Sequence, residues 1–383
     1  MTNRERILAI LAGAAPDRIP WIPRLLLWYN ARQRTGTLPE KYRGCSLREV
    51  ERDLGVGTPA RDGVVFRTRM SGVEVREHWV RELELLTEYR TPAGTVTTRF
   101  RGSEVLRQKG IQDLQCEFML KRRKDYAAVA YLVEHTQFTP AYEEYAAYEA
   151  SVGDDGYPMV HCGDCPFHHW MRALVGYENA FYHLQDYPNE VERLLAVMLQ
   201  RDREIAWKLV LDSPARLILH GVHFSSQMTP PSLFERYITP YYREFSQQLR
   251  ARGKTLALHA DNDTRHILRH IEQAGFGMAE CFATHPLVET TLAEARSAWG
   301  NRVIIWGGVP SVILESHYSQ AQFEAYMAEV FRTIAPGDAF ILGVADNVMP
   351  EAEIDRIARI TEMVESWGKY PIRTGSCHSE QRS

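Results

Sequence analysis

The sequence predicts an α/β fold in which an eight-stranded parallel βα (TIM) barrel carries an N-terminal arm and a β-hairpin insertion. Apolar runs with the length of buried strands recur near 157–160, 215–219, 255–258, 277–281, 302–306 and 339–343, and helical patterns lie between most of them. This alternation indicates a parallel sheet with right-handed crossovers. The chain has 383 residues, enough for two more strands, and no GxGxxG motif follows any strand. A closed barrel is therefore favoured over an open dinucleotide-binding sheet.

The N-terminal half has a different pattern. Capping boxes that begin at Thr2 and Ser46 predict two short helices, and four prolines break up the arm at 16–44. Alternation over 64–101, with a Thr-Pro-Ala-Gly turn at 91–94, predicts a β-hairpin. Further helices are predicted over 123–135, 139–149, 190–211, 232–252, 264–273, 292–298, 319–334 and 351–367.

We expect residues 1–373 to form a single barrel domain. Within it, 1–60 supplies the first helix and the arm, 61–120 a hairpin-rich insertion, and 150–370 the most clearly readable βα units. The tail 374–383 has the composition of a disordered segment.

Composition restricts the class of protein. Hydrophobic residues make up 45% of the chain and charged residues 25%, as in globular domains that dissolve in water. A net charge of -4 gives no electrostatic reason to expect nucleic acid or an anionic membrane as partner. Because the chain has neither a signal-like apolar region nor a run long enough to cross a bilayer, we expect a cytoplasmic protein.

The six cysteines are scattered without a disulfide-like framework, so we expect reduced thiols. Cys162 and Cys165 form a CxxC pair next to His168 and His169. A zinc or redox site is one interpretation of this segment. Packing is the favoured one, because no second CxxC is present and Trp170 follows directly.

Polar side chains stand where several predicted strands end. The residues at or just beyond these ends include His220, His223, His259, Asp261, Glu280, Cys281, Trp306 and Asp346. A barrel brings the carboxyl ends of its strands into one ring, so we expect a shared polar site with a metal in it. Taken singly, a histidine on an apolar stretch is more often a core residue with a hydrogen-bonded partner than a metal ligand.

Four segments resemble the uroporphyrinogen decarboxylase superfamily. They are MTNRERILAILAGAAPDRIPW, TPPSLFERYITPYYREFSQQLRARGKTLALHAD, LAEARSAWGNRVIIWGGVPS and FILGVADNVMPEAEI. The resemblance covers nearly the whole chain and is weakest over 60–110. It implies a TIM barrel and two branches of activity, the porphyrinogen decarboxylases and the corrinoid-linked methyltransferases.

The decarboxylase branch implies an arginine-rich N-terminal motif that grips substrate carboxylates. Arg24, Arg32 and Arg34 stand in the corresponding region, but their spacing differs and a Leu-Leu-Leu-Trp run interrupts them. A tetrapyrrole with many carboxylates needs a denser cationic lining. The resemblance is therefore closer to the methyltransferase branch.

The methyltransferase branch implies a zinc site of the form His-x-Cys, followed much later by a second cysteine. This chain has His259-x-Asp261 and, at the later position, Asp346, so carboxylates replace both thiolates. Glu280 stands at the intervening strand end as a further candidate ligand. Oxygen ligands make the ion harder and more Lewis acidic, which suits an ether oxygen better than a thiol.

These observations predict methyl transfer from an O-methyl donor, such as a methoxylated aromatic, to the reduced cobalt of a separate corrinoid protein. The predicted metal ligands are His259, Asp261, Glu280 and Asp346, with zinc as the ion. The predicted catalytic residues are His223, as a proton donor, together with His259 and Asp261. The predicted substrate-binding residues are Arg24, Trp28, Tyr29 and Trp306, with core packing as the alternative for each aromatic side chain.

Two other functions stay open at this point. One is a decarboxylase or related lyase in which Asp261 and Arg24 act on a carboxylated substrate without a metal. The other is a non-catalytic barrel that binds a corrinoid or another ligand. The sequence names neither the methyl donor nor the oligomeric state, for which a homodimer is one candidate.

Overall fold

A computed structural model describes residues 1–373, and the predicted tail at 374–383 lies outside the described residues. The strands are β1 (Phe66–Met70), β2 (Glu74–Arg81), β3 (Glu84–Thr91), β4 (Gly94–Arg101), β5 (Leu114–Glu117), β6 (Thr136–Pro140), β7 (Met159–His161), β8 (Leu217–Val222), β9 (Thr255–His259), β10 (Met278–Phe282), β11 (Ile304–Val309) and β12 (Phe340–Val344). The helices are α1 (Asn3–Leu11), α2 (Leu26–Thr35), α3 (Leu47–Asp53), α4 (Glu104–Gln108), α5 (Asp125–Glu134), α6 (Tyr142–Val152), α7 (Pro166–His169), α8 (Tyr177–Asp186), α9 (Pro188–Arg201), α10 (Trp207–Asp212), α11 (Pro231–Leu233), α12 (Thr239–Ala251), α13 (Leu268–Ala274), α14 (Leu292–Trp299), α15 (Gln320–Ile334) and α16 (Ile354–Trp367). Within the described part of the chain, no helix is long and apolar enough to cross a bilayer.

The chain divides into two compact units. The first comprises Met1–Gly63, Ala146–His161 and the chain from Arg216 onward, and the second comprises Val64–Tyr145 and Cys162–Ala215. The second unit contains most of the predicted insertion at 61–120 and extends well beyond it. A single domain spanning 1–373 stays a prediction.

The first unit is built on a six-stranded parallel sheet with the order β12-β11-β10-β9-β8-β7. Its strands lie at the six positions predicted from the apolar runs, and helices connect them, which confirms an α/β fold. Every residue of β8, β10, β11 and β12 is buried. Burial on both faces explains why these segments are continuously apolar instead of alternating.

Two extended segments continue the sheet at its edges. Trp21 forms a parallel bridge with Leu342 of β12, and Gly63 forms one with Val160 of β7. The N–H of Gly57 donates to the carbonyl of Trp21 at 3.0 Å, which joins the two segments to each other. The regular sheet therefore has six strands where eight were predicted, and closure into an eight-stranded barrel stays a prediction.

One hydrophobic cluster of the first unit forms where α1 packs against the parallel sheet. Ile7 and Ile10 of α1 pack in one cluster with Met159, Met278 and Ile341 from three different strands. Burying such side chains contributes about 1.5–3 kcal/mol each. The predicted capping box fixes where α1 begins, because the Thr2 side chain accepts from the N–H of Glu5 and the Glu5 side chain accepts from the N–H of Thr2.

The second unit is antiparallel where it contains strands. Strands β2 to β5 form one sheet in sequence order, and β1 pairs with β6. The predicted hairpin is present as β3 and β4, with the hydroxyl of Thr91 donating to the carbonyl of Gly94 at 2.9 Å in its turn. The structure adds β2 and β5 to this hairpin, and α5 packs against β3 and β4.

Glu51 on α3 is a buried acid with incomplete charge compensation. Its side chain is 3% exposed, the Nε of Arg48 lies 3.5 Å from its Oε2, and that oxygen accepts no hydrogen bond. Burial raises the pKa of Glu51 from its ordinary value of 4.5 to about 7, against the opposing charge of Arg48. Between these pH values the folded protein holds a proton that the unfolded chain has released, so stability falls as pH rises through this window.

We expect Glu51→Gln to remove this pH dependence. The variant should match the wild type near about pH 4 and exceed its free energy of unfolding by up to about 3 kcal/mol above pH 7, because one pKa unit corresponds to about 1.4 kcal/mol. Urea denaturation across this range measures the difference. The exposed Glu40→Gln is the control and should run parallel to the wild type, whereas a parallel Glu51→Gln curve would contradict the assignment.

Candidate functional site

The site forms at the carboxyl edge of the parallel sheet. His259 ends β9 and lies directly opposite Glu280 of β10 in the strand register. Asp261 stands two residues beyond β9, and Asp346 stands two residues beyond β12. Because neighbouring parallel strands end at the same edge, these four side chains come together although they are distant in the chain.

His259 is at the centre of the cluster and is 3% exposed. Its Nδ1 lies 2.7 Å from Oε2 of Glu280. Its Nε2 faces the other way and lies 3.5 Å from a carboxylate oxygen of Asp261 and 3.5 Å from one of Asp346. One ring nitrogen is thus held by an internal carboxylate, and the other is presented to two carboxylates that come from different strand ends.

His223 connects this cluster to solvent. It follows β8 directly, and its Nδ1 lies 2.7 Å from Oδ2 of Asp261. Its backbone N–H donates to the carbonyl of His259 at 3.2 Å. The side chains of His223 and Asp346 are both 42% exposed, so water or a bound substrate can reach these two members of the cluster.

Glu280 lies behind His259, and each of its carboxylate oxygens has a partner. Oε2 meets His259, whereas Oε1 lies 3.1 Å from Nη1 of Arg61 and 3.0 Å from Sγ of Cys281. Burial alone would raise the pKa of Glu280. The positive charges of Arg61 and then His259 outweigh this effect and lower the pKa to about 2. Glu280 is therefore a buried carboxylate that stays ionised.

Burial and charge compete across the rest of the cluster. Burial disfavours a charged imidazole, yet the surrounding carboxylates, Glu280 first, raise the pKa of His259 well above its ordinary value. Burial likewise opposes ionisation of Asp261, but hydrogen bonds with His223 and His259 hold its pKa well below the usual range. Contacts with His259 also lower the pKa of Asp346 against its burial. The cluster is thus a set of ionised groups that support one another.

The backbone at these strand ends is strained. His223, Cys281 and Asp346 have positive φ angles of 58°, 53° and 56°. A non-glycine residue in such a conformation costs about 1–3 kcal/mol and persists only where its surroundings enforce it. Outliers of this kind cluster at functional sites, and here all three have side chains in the polar cluster.

A bulge in β10 explains how two consecutive residues reach the same site. Successive side chains of a regular strand point to opposite faces, but the β10 register shifts between Glu280 and Phe282. Cys281 is the residue at the shift, and both it and Glu280 face the cluster. Gly307 on β11 accommodates the bulge, because a Cβ there would lie 2.6 Å from the backbone nitrogen of Phe282.

Among the described residues, two groups have the ligand atoms and spacing to hold a metal ion. They are His223, His259 and Asp261, and His259, Cys281 and Asp346. Both contain His259, and together they include three of the four predicted metal ligands. Glu280 is in neither group, since its oxygens face Arg61, Cys281 and the inner nitrogen of His259.

Sequence reasoning missed Arg61, and it placed Cys281 at a strand end without predicting a role for it in the site. The pattern GFGMAEC showed that Cys281 stands at a strand end, but regular alternation gave no reason to place it beside Glu280. Arg61 carried no signal in the sequence, because it lies in the region least similar to the superfamily.

Of the four predicted substrate-binding residues, Arg24 lies at the polar cluster and the three aromatic residues are buried in the interior. Arg24 reaches the site, with its Nη1 3.0 Å from Oδ1 of Asp346. The hydroxyl of Tyr29 donates to the carbonyl of Cys45, and Nε1 of Trp306 donates to the carbonyl of Ile22 in the core.

Trp28 is 1% exposed, so it is as deeply buried as these two side chains. These placements favour core packing for the three aromatic side chains, which was the alternative interpretation for each.

Other candidate residues lie outside the cluster. His220 packs against Tyr241, Tyr242 and Phe245 of α12, on the outer face of β8. No disulfide joins the five cysteines among residues 1–373. Neither of the two candidate metal groups in this part of the chain includes a residue of the CxxC pair.

Residues 151–367 match the profile of the family described as Uroporphyrinogen decarboxylase (URO-D), and the match spans more than half of the chain. The chain belongs to the uroporphyrinogen decarboxylase (URO-D) family. Strands β7 to β12 and all four predicted metal ligands lie within the matched residues of this URO-D family member.

The fold of this URO-D family protein is similar to that of a solved structure, a methyltransferase from Methanosarcina mazei. The TM-score is 0.56 at 13% sequence identity, and the alignment covers 95% of this chain and 98% of the other. At this identity the likeness concerns the fold alone. No curated protein matches the sequence.

In the URO-D family protein, once a chelator has removed any bound metal, loss of the His259 side chain should strongly lower the free energy of unfolding. We expect His259→Ala to lower the free energy of unfolding by about 3–5 kcal/mol, because it leaves buried carboxylates without their shared cation. The exposed His266→Ala, in the short 3-10 helix that follows β9, should stay within about 0.5 kcal/mol of the wild type. Urea denaturation compares the three proteins, and equal losses for the two variants would contradict a buried ion network.

Proposed function

We propose that this URO-D family protein is a zinc-dependent methyltransferase that moves a methyl group from an O-methyl donor to the reduced cobalt of a corrinoid on a separate protein. The observation that carries the proposal is the presentation of His259 Nε2 to Asp261 and Asp346, 3.5 Å from each. A histidine nitrogen that faces two carboxylates, with its other nitrogen held by a third carboxylate, is an arrangement that proteins use for metal ions.

The spacing of these atoms fits an ion. Zinc bonds of about 2.0–2.3 Å in a tetrahedral site put neighbouring ligand atoms roughly 3.3–3.8 Å apart. The two distances from Nε2 lie within this range. His259, Asp261 and Asp346 remain the proposed ligands. The structure groups Asp261 with His223 and His259, and Asp346 with Cys281 and His259, so His223 and Cys281 are the two candidates for a further ligand.

The donor set also indicates the substrate class. When bound among carboxylates, zinc supplies a hard Lewis acid that polarises an ether oxygen. The chain's own task is to hold the donor so that its methyl carbon faces the attacking cobalt and the carbon–oxygen bond can break in line. His223 is placed to deliver a proton to the leaving oxygen, because it is half-exposed and hydrogen-bonded to Asp261.

Fold likeness gives this proposal additional support. The similar structure from Methanosarcina mazei is named a methyltransferase. Family membership alone leaves a decarboxylase or lyase as the second candidate, and Arg24 and Arg61 favour it because both guanidinium groups stand at the acidic cluster. In that case Asp261 would act as a metal-free acid or base on a carboxylated substrate.

Reduced cobalt and free thiols both suit a reducing compartment, which is consistent with a cytoplasmic location.

The proposed site also supports closure of the sheet into an eight-stranded barrel. Arg61 stands on the segment beside β7, whereas its partner Glu280 is on β10. In a flat sheet, four strand spacings of about 4.8 Å would put them roughly 19 Å apart, beyond the reach of an arginine side chain. A curved sheet, continued at its edges by the segments of Trp21 and Gly63, brings them together.

The purified protein should contain about one zinc ion per chain. His259→Ala should reduce the metal content to background, since both candidate groups include His259. The double variant Cys162→Ser, Cys165→Ser should retain the ion. Elemental analysis of the three proteins is the measurement, and loss of metal in the double variant would move the site to the CxxC segment.

Asp261 distinguishes the two candidate reactions. Asp261→Asn should weaken zinc binding by removing an anionic oxygen, and Asp261→Cys should keep the ion but lose transfer from an ether, because a thiolate reduces the pull on the leaving oxygen. Zinc content and turnover of methoxylated aromatics with cob(I)alamin are measured on the same preparations. Metal-free wild type with turnover of a carboxylated compound would favour the lyase, and unchanged turnover in Asp261→Asn would contradict both reactions.

A further inference from the structure

Arg61 enters the site from outside the regular sheet. Its segment is fixed beside β7, where the carbonyl of Ala60 accepts from the N–H of Met159 at 2.9 Å and Gly63 bridges to Val160. Ala60 has a positive φ of 47°, a conformation that non-glycine residues adopt only where the surrounding structure enforces it. This backbone conformation immediately precedes Arg61, whose side chain turns inward to the carboxyl edge of the sheet.

Arg61 contacts Glu280 and Cys281, of which only Cys281 is a candidate ligand of the proposed ion. Its Nη1 lies 3.1 Å from Oε1 of Glu280 and 3.7 Å from Sγ of Cys281. The side chain of Arg61 is 17% exposed and that of Glu280 is 1% exposed. A carboxylate this deeply buried needs a charged partner, and Arg61 is placed to be that partner on the side away from His259.

We propose that Arg61 is a positioning residue that acts on the ion through Glu280 and His259. By holding Oε1 of Glu280, it keeps Oε2 against Nδ1 of His259. Nε2 of the same ring then stays directed at Asp261 and Asp346. The step from Nε2 to an ion depends on the proposed function, whereas the step from Arg61 to the orientation of His259 does not.

This role and a simple charge effect predict opposite results. Arg61 is a cation near a proposed cation site, so Coulomb repulsion alone predicts that neutralising it strengthens metal binding. A positioning role predicts the reverse, because removing the partner that orients a metal-binding histidine weakens affinity by about 10–100-fold. Arg24 offers a matched comparison. It is also an arginine at the site, but it contacts the proposed ligand Asp346 directly and does not contact Glu280.

Zinc affinity, measured by competition with a chelator, tests the proposal in the wild type, Arg61→Gln, Arg61→Lys and Arg24→Gln. We expect Arg61→Gln to bind zinc about 10–100-fold more weakly than the wild type. Arg61→Lys should recover part of this loss, because a lysine restores a positive charge beside Glu280. Arg24→Gln should bind as tightly as the wild type or more tightly, since it frees Asp346 from a competing cation. Equal or tighter binding in Arg61→Gln would overturn the proposal.

A second measurement on the metal-free proteins separates this proposal from the proposed function. The Nδ1–H proton of His259 should give a slowly exchanging, downfield NMR signal in the wild type and in Arg24→Gln, and Arg61→Gln should lose it. If the Gln variant fails to fold, Arg61→Lys is compared instead; its signal should be weaker than that of the wild type, and a signal of full strength would overturn the role of Arg61. A wild type without zinc affinity that shows this pattern would support the role of Arg61 and contradict the metal site. A signal that persists in folded Arg61→Gln would overturn the role of Arg61 whatever the zinc content.

Discussion

His259 and Glu280 are two ionisable side chains buried opposite each other on neighbouring strands, and neither could be buried alone at an acceptable free energy. Their 2.7 Å contact uses the inner nitrogen of the imidazole. The outer nitrogen is thereby directed to the open edge of the sheet, where Asp261 and Asp346 meet it. Arg61 balances the second oxygen of Glu280. Most polar contacts of the site follow from this single buried pair.

The same pair explains why the strained backbone is tolerated. Three residues around it adopt positive φ angles, and a bulge interrupts β10 at Cys281. Each departure has a free-energy cost, but together they aim side chains from several strands at one point. The buried sheet beneath them is regular and apolar, and its burial offsets the free-energy cost of the strained backbone at the site. This division of roles is usual in barrels, where the strands carry the core and their carboxyl ends carry the chemistry.

Family membership and fold do not by themselves assign a reaction, because one fold supports many activities. The chemistry is indicated by the donor atoms. Asp261 and Asp346 supply hard oxygens, His259 a borderline nitrogen, and Cys281 a sulfur whose pKa burial and Glu280 raise to about 11. A thiol in that state is a weaker ligand than the ionised carboxylates beside it. This balance is the reason for proposing an oxygen-bound methyl group as the substrate instead of a thiol.

The sequence by itself determined the alternation of strands and helices, the capping boxes of α1 and α3, the hairpin of β3 and β4, and the polar residues that end β9 and β10. These features depend on neighbours in the chain, so periodicity and local hydrogen bonding are sufficient to predict them. Only the tertiary structure decided that Cys281 faces inward, that Tyr29 and Trp306 point into the interior, and that Arg61 meets Glu280. A bulge and the packing of segments that are remote in sequence set these orientations, and both depend on contacts that no local pattern contains.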